Sequence, residues 1–292
     1  MEVRGLVRYK IGDIVSRKSY NNDIIFKVID VKEEEDKISY ILKGTNFRII
    51  ADSPEDDLEQ SSEEEFIKQN ESVDKRVMDI VKDKDNLFRG EEVRNKKKSK
   101  KNIRRFGMAP TVLHLDGDEE YLEICLKAYK SIGLRAFGKV VPEIEQSRLV
   151  QEYLNRYKPD ILVLTGHDSV VKDCNNFKSL DSYRNSKYFA EAVRKARQFE
   201  SSYDELVIFA GACQSYYEEI IKAGANYATS PYRILVHALD PVLVCEKIAF
   251  TSITKFLSPK EVLQNTITGE KGVGGLETRG QYREGSPPSP YN

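Results

Sequence analysis

The sequence predicts an α/β protein whose mainly parallel sheet carries helices on both faces, preceded by a small β-barrel. Three observations point there. From Pro110 onward, apolar runs of strand length alternate with amphipathic runs of helix length, the spacing of right-handed βαβ units. Two of these runs, Ile161–Thr165 and Leu206–Ala210, stop at a glycine, Gly166 and Gly211. Before residue 52 the pattern changes to short β-branched runs separated by turn signals.

Those early runs are Asp13–Ser16, Ile24–Val31, Ile38–Lys43 and Phe47–Ala51, punctuated by Gly12-Asp13, Asn21-Asn22-Asp23, Glu33–Asp36 and Gly44-Thr45-Asn46. Their spacing predicts an SH3-like β-barrel over residues 1–51. Residues 52–108 read as a charged, largely flexible linker. An acidic block fills 52–75, a marginal helix is expected between Phe66 and Phe88, and a basic run spans Arg94–Arg105. The basic run lacks interleaved aromatics, so a solvated linker is preferred over a nucleic-acid-binding arm.

The α/β domain is expected over 109–267. Thr111–Leu115 reads as its first strand, ending in Asp116-Gly117-Asp118, with a helix from Glu119 to Ser131 closed by Gly133. Leu134–Val141 follows as a strand and Ile144–Tyr157 as a helix, stopped by Lys158-Pro159. The strand Asp160–Thr165 leads to His167, then to a polar loop and a helix over Ser186–Glu200. The strand Glu205–Ala210 leads to Cys213, then to a short helix over Tyr216–Ala223. Ala225–Tyr227 and Arg233–His237 supply further strand material, and Pro259–Ile267 a last helix. The Gly- and Pro-rich residues 268–292 read as a mobile tail.

Composition bounds the function. A chain of 292 residues with 40% apolar and 32% charged residues affords a sizeable core plus segments outside it, and the net charge of −1 names no partner. The first ten residues hold no apolar h-region, and no apolar stretch is long enough for a bilayer. A soluble intracellular chain is therefore expected. The 4 cysteines show no metal-ligand spacing, so free thiols are expected and neither metal nor cofactor is called for. Cys125 and Cys245 lie in apolar runs and read as small buried hydrophobes, whereas Cys174 falls in a polar loop.

Cys213 stands apart because it follows a strand end, where an α/β sheet presents its ligand-binding edge. A thiol there needs a base to raise its thiolate fraction and to protonate the leaving amine. Of the 3 histidines, His114 lies inside a strand run and His237 follows Cys213 by 24 residues; His167 occupies the matching strand end, 46 residues upstream. The pair expected is therefore Cys213 and His167, supported by Gly166, Asp168, Gly211, Ala212, Gln214 and Ser215. Asp168 and Asp173 are acidic neighbours that would orient the imidazole or meet a basic side chain.

A histidine about 50 residues before the cysteine is the order of caspases and not of papain-like enzymes. The strings Gly166-His167 and Ala212-Cys213-Gln214-Ser215 resemble the caspase-like, legumain and gingipain clan, and the sheet expected is caspase-like or flavodoxin-like. Asp168 stands where that clan usually has glycine, and Gly211 where several of its members carry an acidic or glutamine residue.

A broader likeness runs from residue 10 to 241. It rests on Lys10-Ile11-Gly12-Asp13-Ile14-Val15-Ser16-Arg17-Lys18-Ser19-Tyr20, His114-Leu115-Asp116-Gly117-Asp118, Thr165-Gly166-His167-Asp168, Phe209–Ser215 and His237-Ala238-Leu239-Asp240-Pro241. These strings resemble the YabG family of sporulation-specific proteases. The resemblance implies a cysteine protease of the sporulating cytoplasm and forming spore, acting on spore-coat and related spore proteins. It also implies cleavage after basic residues and self-processing, for which Arg94, Arg104 and Arg105 in the basic run are the candidate sites. It places nucleophile and base at Cys213 and His167.

Two rival readings differ in class. An amidotransferase-like or other hydrolase with a cysteine elbow fits Gly211–Ser215 loosely and would recruit His237. A non-enzymatic scaffold or nucleic-acid-binding protein would use the barrel and the basic run, with steeply salt-dependent binding. A receiver domain would need an aspartate where Thr165-Gly166-His167 stands.

Overall fold

The computed structural model describes residues 8–34, 37–62, 64, 75, 107–172 and 174–285. The chain forms two compact units, Met1–Asp74 and Lys75–Asn292.

The first unit is an antiparallel sheet of β1 (Ile14–Arg17), β2 (Ile25–Glu34), β3 (Lys37–Gly44), β4 (Ile50–Pro54) and β5 (Leu58–Gln60), in the order β4-β3-β2-β1-β5. Alternating residues of its strands, Phe26 and Val28 on β2 and Tyr40 and Leu42 on β3, bury with Tyr9, Val15 and Leu58 in one core. The boundary expected at residue 51 falls inside this sheet. Residues 52–60 are acidic yet pair with it, because Leu58 fills the core and Asp57 accepts from Arg17 Nε at 2.9 Å. The helix expected between Phe66 and Phe88 and the basic run lie outside the described residues.

The second unit begins with β6 (Gly107–Met108) and β7 (Val112–Asp116), followed by α1 (Glu119–Ser131), β8 (Ala136–Val140) and α2 (Glu143–Tyr157). Then come β9 (Ile161–Thr165), α3 (Ser186–Phe199), β10 (Val207–Ala210), α4 (Tyr217–Lys222) and β11 (Tyr227–Thr229). After α5 (Asp240–Ala249) come β12 (Phe256–Leu257), α6 (Pro259–Leu263), β13 (Val273–Gly275), β14 (Thr278–Arg279) and β15 (Arg283–Glu284). The main sheet runs β13-β11-β10-β9-β7-β8, with β13 antiparallel to its neighbour and the other pairs parallel. The parallel part has the 2-1-3-4-5 order of flavodoxin-like folds, whose ligand edge lies where the winding reverses.

Strand periodicity divides the core. Leu113, Leu115, Leu162, Leu164, Ile208 and Ala210 pack with Val150 and Leu154 of α2 and Phe189 and Val193 of α3 on one face. The alternate residues face α1, as the ring contact of His114 with Tyr129 shows, and Tyr129 in turn reaches Cys245 of α5.

The structure corrects two expectations and adds one helix. Arg233–His237 is not strand material: Arg233 has φ +57°, and the segment runs as a loop toward Cys213. Residues 268–285 are no mobile tail, since Val273–Gly275 forms the sixth strand of the sheet. Their glycines serve close approach, because a Cβ at Gly275 would lie 2.3 Å from the Tyr227 ring. Asp240–Ala249 is a helix that apolar patterning hid, since nearly every residue of it is buried and no polar face marks its period.

Candidate active site

The parallel register sets Leu164 beside Ala210 on β9 and β10. His167 and Cys213 each lie three residues beyond that pair, so the sheet delivers both to one edge. Two side-chain bridges tie the loops carrying them. Ser215 Oγ donates to Asp168 Oδ2 at 2.9 Å, and Val170 N donates to Gln214 Oε1 at 3.4 Å.

The Cys213 loop is held on both sides. Ala212 N donates to Ser215 Oγ at 2.9 Å, while Ala212 O accepts from Thr229 Oγ1 at 2.7 Å. Gln214 takes the left-handed conformation, φ +57°, and its N–H reaches Ile234 O at 3.1 Å. The strained residue is thus Gln214, whereas a nucleophile elbow places the nucleophile itself on its sharp, strained turn. Gly211, φ +110°, precedes the cysteine where a Cβ would press within 2.3 Å of Thr229 Oγ1. Cys213 is buried and its Sγ receives the Val236 N–H at 3.1 Å, a donor that stabilises negative charge on sulfur. Arg233, stacked over the Tyr183 and Tyr216 rings, braces the segment that supplies this donor.

His167 is positioned at ring and backbone. Its Nε2 lies 2.9 Å from Asp118 Oδ2, and the Tyr121 ring packs against the imidazole with centroids 5.7 Å apart. Its N–H donates to Glu143 Oε1 at 2.6 Å, and its C=O accepts from Asn185 Nδ2 at 2.8 Å. Gly117 and Gly166 make room for Glu143, since a Cβ on either would come within 2.3 Å of its carboxylate. The Nδ1 atom is buried and, among the described residues, has no hydrogen-bond partner.

Asp168 does not orient the imidazole. Its carboxylate accepts from Ser186 Oγ at 2.5 Å, from Ser215 Oγ, and from the N–H groups of Ser169 and Asn185. Burial raises its pKa, and these donors oppose that rise. The acidic neighbours sequence reasoning missed are Asp118 and Glu143. The strand-end string Asp116-Gly117-Asp118 was a signal for the first; nothing local distinguished Glu143. Asp173, Arg94, Arg104 and Arg105 lie outside the described residues.

The remaining titratable candidates divide clearly. His114 is fully buried, with Nε2 2.6 Å from Thr165 Oγ1. His237 Nδ1 accepts the Leu239 N–H at 3.1 Å, which leaves the proton of a neutral ring on Nε2. Cys125 and Cys245 are buried on α1 and α5, and burial pushes the Cys245 thiol up to about 12. Among the described residues no group of His, Cys, Asp and Glu is placed to hold a metal ion, and no helix is long and apolar enough to cross a membrane.

Comparison with known proteins finds a peptidase family. A family model described as YabG peptidase U57 matches residues 10–287. The chain is 42% identical over 286 residues to the sporulation-specific protease YabG of Bacillus subtilis (strain 168), covering 96% of this chain and 99% of that protein.

Proposed function

The chain belongs to the YabG peptidase U57 family, and from that premise we propose that it is a cysteine endopeptidase using Cys213 and His167. His167 takes the thiol proton as Sγ attacks the scissile carbonyl. The proton then passes to the leaving amine as the C–N bond breaks, and water releases the acyl group from sulfur. The observation that carries this reading is the common strand-edge placement of the two residues, with the cysteine sulfur held by a backbone N–H. An Nδ1 buried without a partner supplies the basic atom.

The substrates proposed are spore-coat and related spore proteins, cut after basic residues, in the sporulating cell. Support comes from the similarity to a sporulation-specific protease. Self-cleavage at Arg94, Arg104 or Arg105 follows from the basic run. The test incubates wild type, His167→Ala and His237→Ala and maps fragment ends by mass spectrometry. The reading expects new ends after Arg or Lys in wild type and in His237→Ala, and none in His167→Ala. Cleavage that survives His167→Ala but is lost in His237→Ala would replace the base.

A further inference from the structure

We propose that Asp118 is the positioning residue of the site: it holds the His167 ring so that Nε2 carries the proton and Nδ1 exchanges a proton with Cys213. This rests on the Cys213–His167 reading.

The geometry of Asp118 is divided between its two oxygens. Oδ1 accepts the Tyr121 N–H at 3.2 Å, capping α1, and Oδ2 lies 2.9 Å from His167 Nε2. An ionised carboxylate only accepts, so Nε2 is the donor and the lone pair of the neutral ring sits on Nδ1. Two features support Asp118 in this role. It sits at the N-terminus of a 13-residue helix, whose unpaired N–H groups favour negative charge. Its own N–H is fixed by Asp116 Oδ1 at 3.0 Å, and Asp116 Oδ2 accepts from Thr165 Oγ1 at 2.9 Å.

The last bond matters because Thr165 lies two residues before His167. The end of β7 and the end of β9 are therefore locked together just where one supplies the carboxylate and the other the imidazole. The pair is also screened, with side-chain exposures of 22% for His167 and 11% for Asp118. A partly desolvated charged hydrogen bond of this length fixes both tautomer and ring orientation. The orphaned Nδ1 then has a purpose. A buried nitrogen without a partner is costly, and a role in proton transfer explains why the fold tolerates it.

Substitution separates orientation from folding, because Asn and Ser both remain good helix caps. Asp118→Ser caps α1 but is too short to reach the ring, and Asp118→Asn removes the charge. Both are expected to fold normally and to lose kcat on the order of 10²- to 10⁴-fold, with KM changed less than about threefold. ¹⁵N-histidine NMR on the Cys213→Ala background is expected to place the His167 proton on Nε2, and adding Asp118→Asn should abolish that preference. Wild-type kcat in folded Asp118→Ser, or a proton on Nδ1 with Asp118 intact, would overturn the proposal. If His167→Ala keeps its turnover, the Cys213–His167 reading fails instead. An inactive His167→Ala beside fully active Asp118 variants removes only the role of Asp118.

Discussion

Asp168 Oδ2 accepts the Ser215 hydroxyl at 2.9 Å, joining the loop that follows His167 to the loop that carries Cys213. The same oxygen accepts from Ser186, whose Oγ in turn accepts the Tyr216 N–H at 2.7 Å. One buried carboxylate thus gathers three segments: the turn after β9, the start of α3 and the turn after β10. An acid next in sequence to a strand-end histidine invites a chemical role. The hydrogen bonds of Asp168 assign it the spacing between the loops instead.

Asp168→Ala therefore leaves two hydroxyls and two N–H groups without their acceptor in a buried place. Unfolding in urea should show a loss of roughly 3 kcal/mol, from a cost of 1–3 kcal/mol for each unsatisfied group offset by relaxation and water entry. Ser215→Ala, which removes one arm of the network, should lose about 1–2 kcal/mol. Equal stability of wild type and Asp168→Ala would contradict this role.

Gly211→Ala tests the turn that presents the thiol. The residue sits at φ +110°, and the new methyl would meet Thr229 Oγ1, the donor that fixes Ala212 O. Backbone strain of this kind costs about 1–3 kcal/mol. The expected outcome is a lowered Tm together with a fall in kcat. A variant with wild-type Tm and kcat would show that the turn tolerates a side chain.

Asp240 gives stability a pH dependence of defined sign. Burial pushes its carboxyl up to about 6, against the opposing hydrogen bonds of the Thr268 hydroxyl and the N–H groups of Ile267 and Thr268. Folding thus tightens proton binding, so the contribution is full below about pH 4 and is lost as the pH rises through the folded value. Relative to Asp240→Asn, wild type should lose roughly 1–3 kcal/mol between about pH 4 and pH 7.5 in urea titrations. A wild type that gains stability relative to Asp240→Asn as the pH rises would reverse the assignment.

Much of this architecture was legible because strands and helices of the α/β unit announce themselves by period and by punctuation. Ile161–Leu164 and Val207–Ala210 are continuous apolar runs, with Gly166 and Gly211 marking where those strands stop, and Val112–Asp116 is apolar but for His114 and its terminal Asp116. The helix Asp240–Ala249 escaped because a segment buried on every side has no polar face to reveal its turn. Gly274 and Gly275 read as tail residues because glycine signals flexibility and close packing alike; only the Tyr217 and Tyr227 rings decide between them. At the site, the strand-end positions of His167 and Cys213 followed from the pattern. The partners of His167 did not, because Asp118 and Glu143 lie 49 and 24 residues away in sequence. Asp168 misled for the opposite reason: sequence adjacency to His167 does not aim its side chain at the imidazole.

Everything proposed for the site depends on Cys213 being the nucleophile. The most direct measurement is peptidase turnover by purified full-length Cys213→Ala, with its Tm compared with wild type to establish that it is folded. The expected result is a full-length, folded protein that does not cleave itself and whose kcat is lower by on the order of 10⁴-fold or more. Turnover near the wild-type rate in that preparation would contradict it.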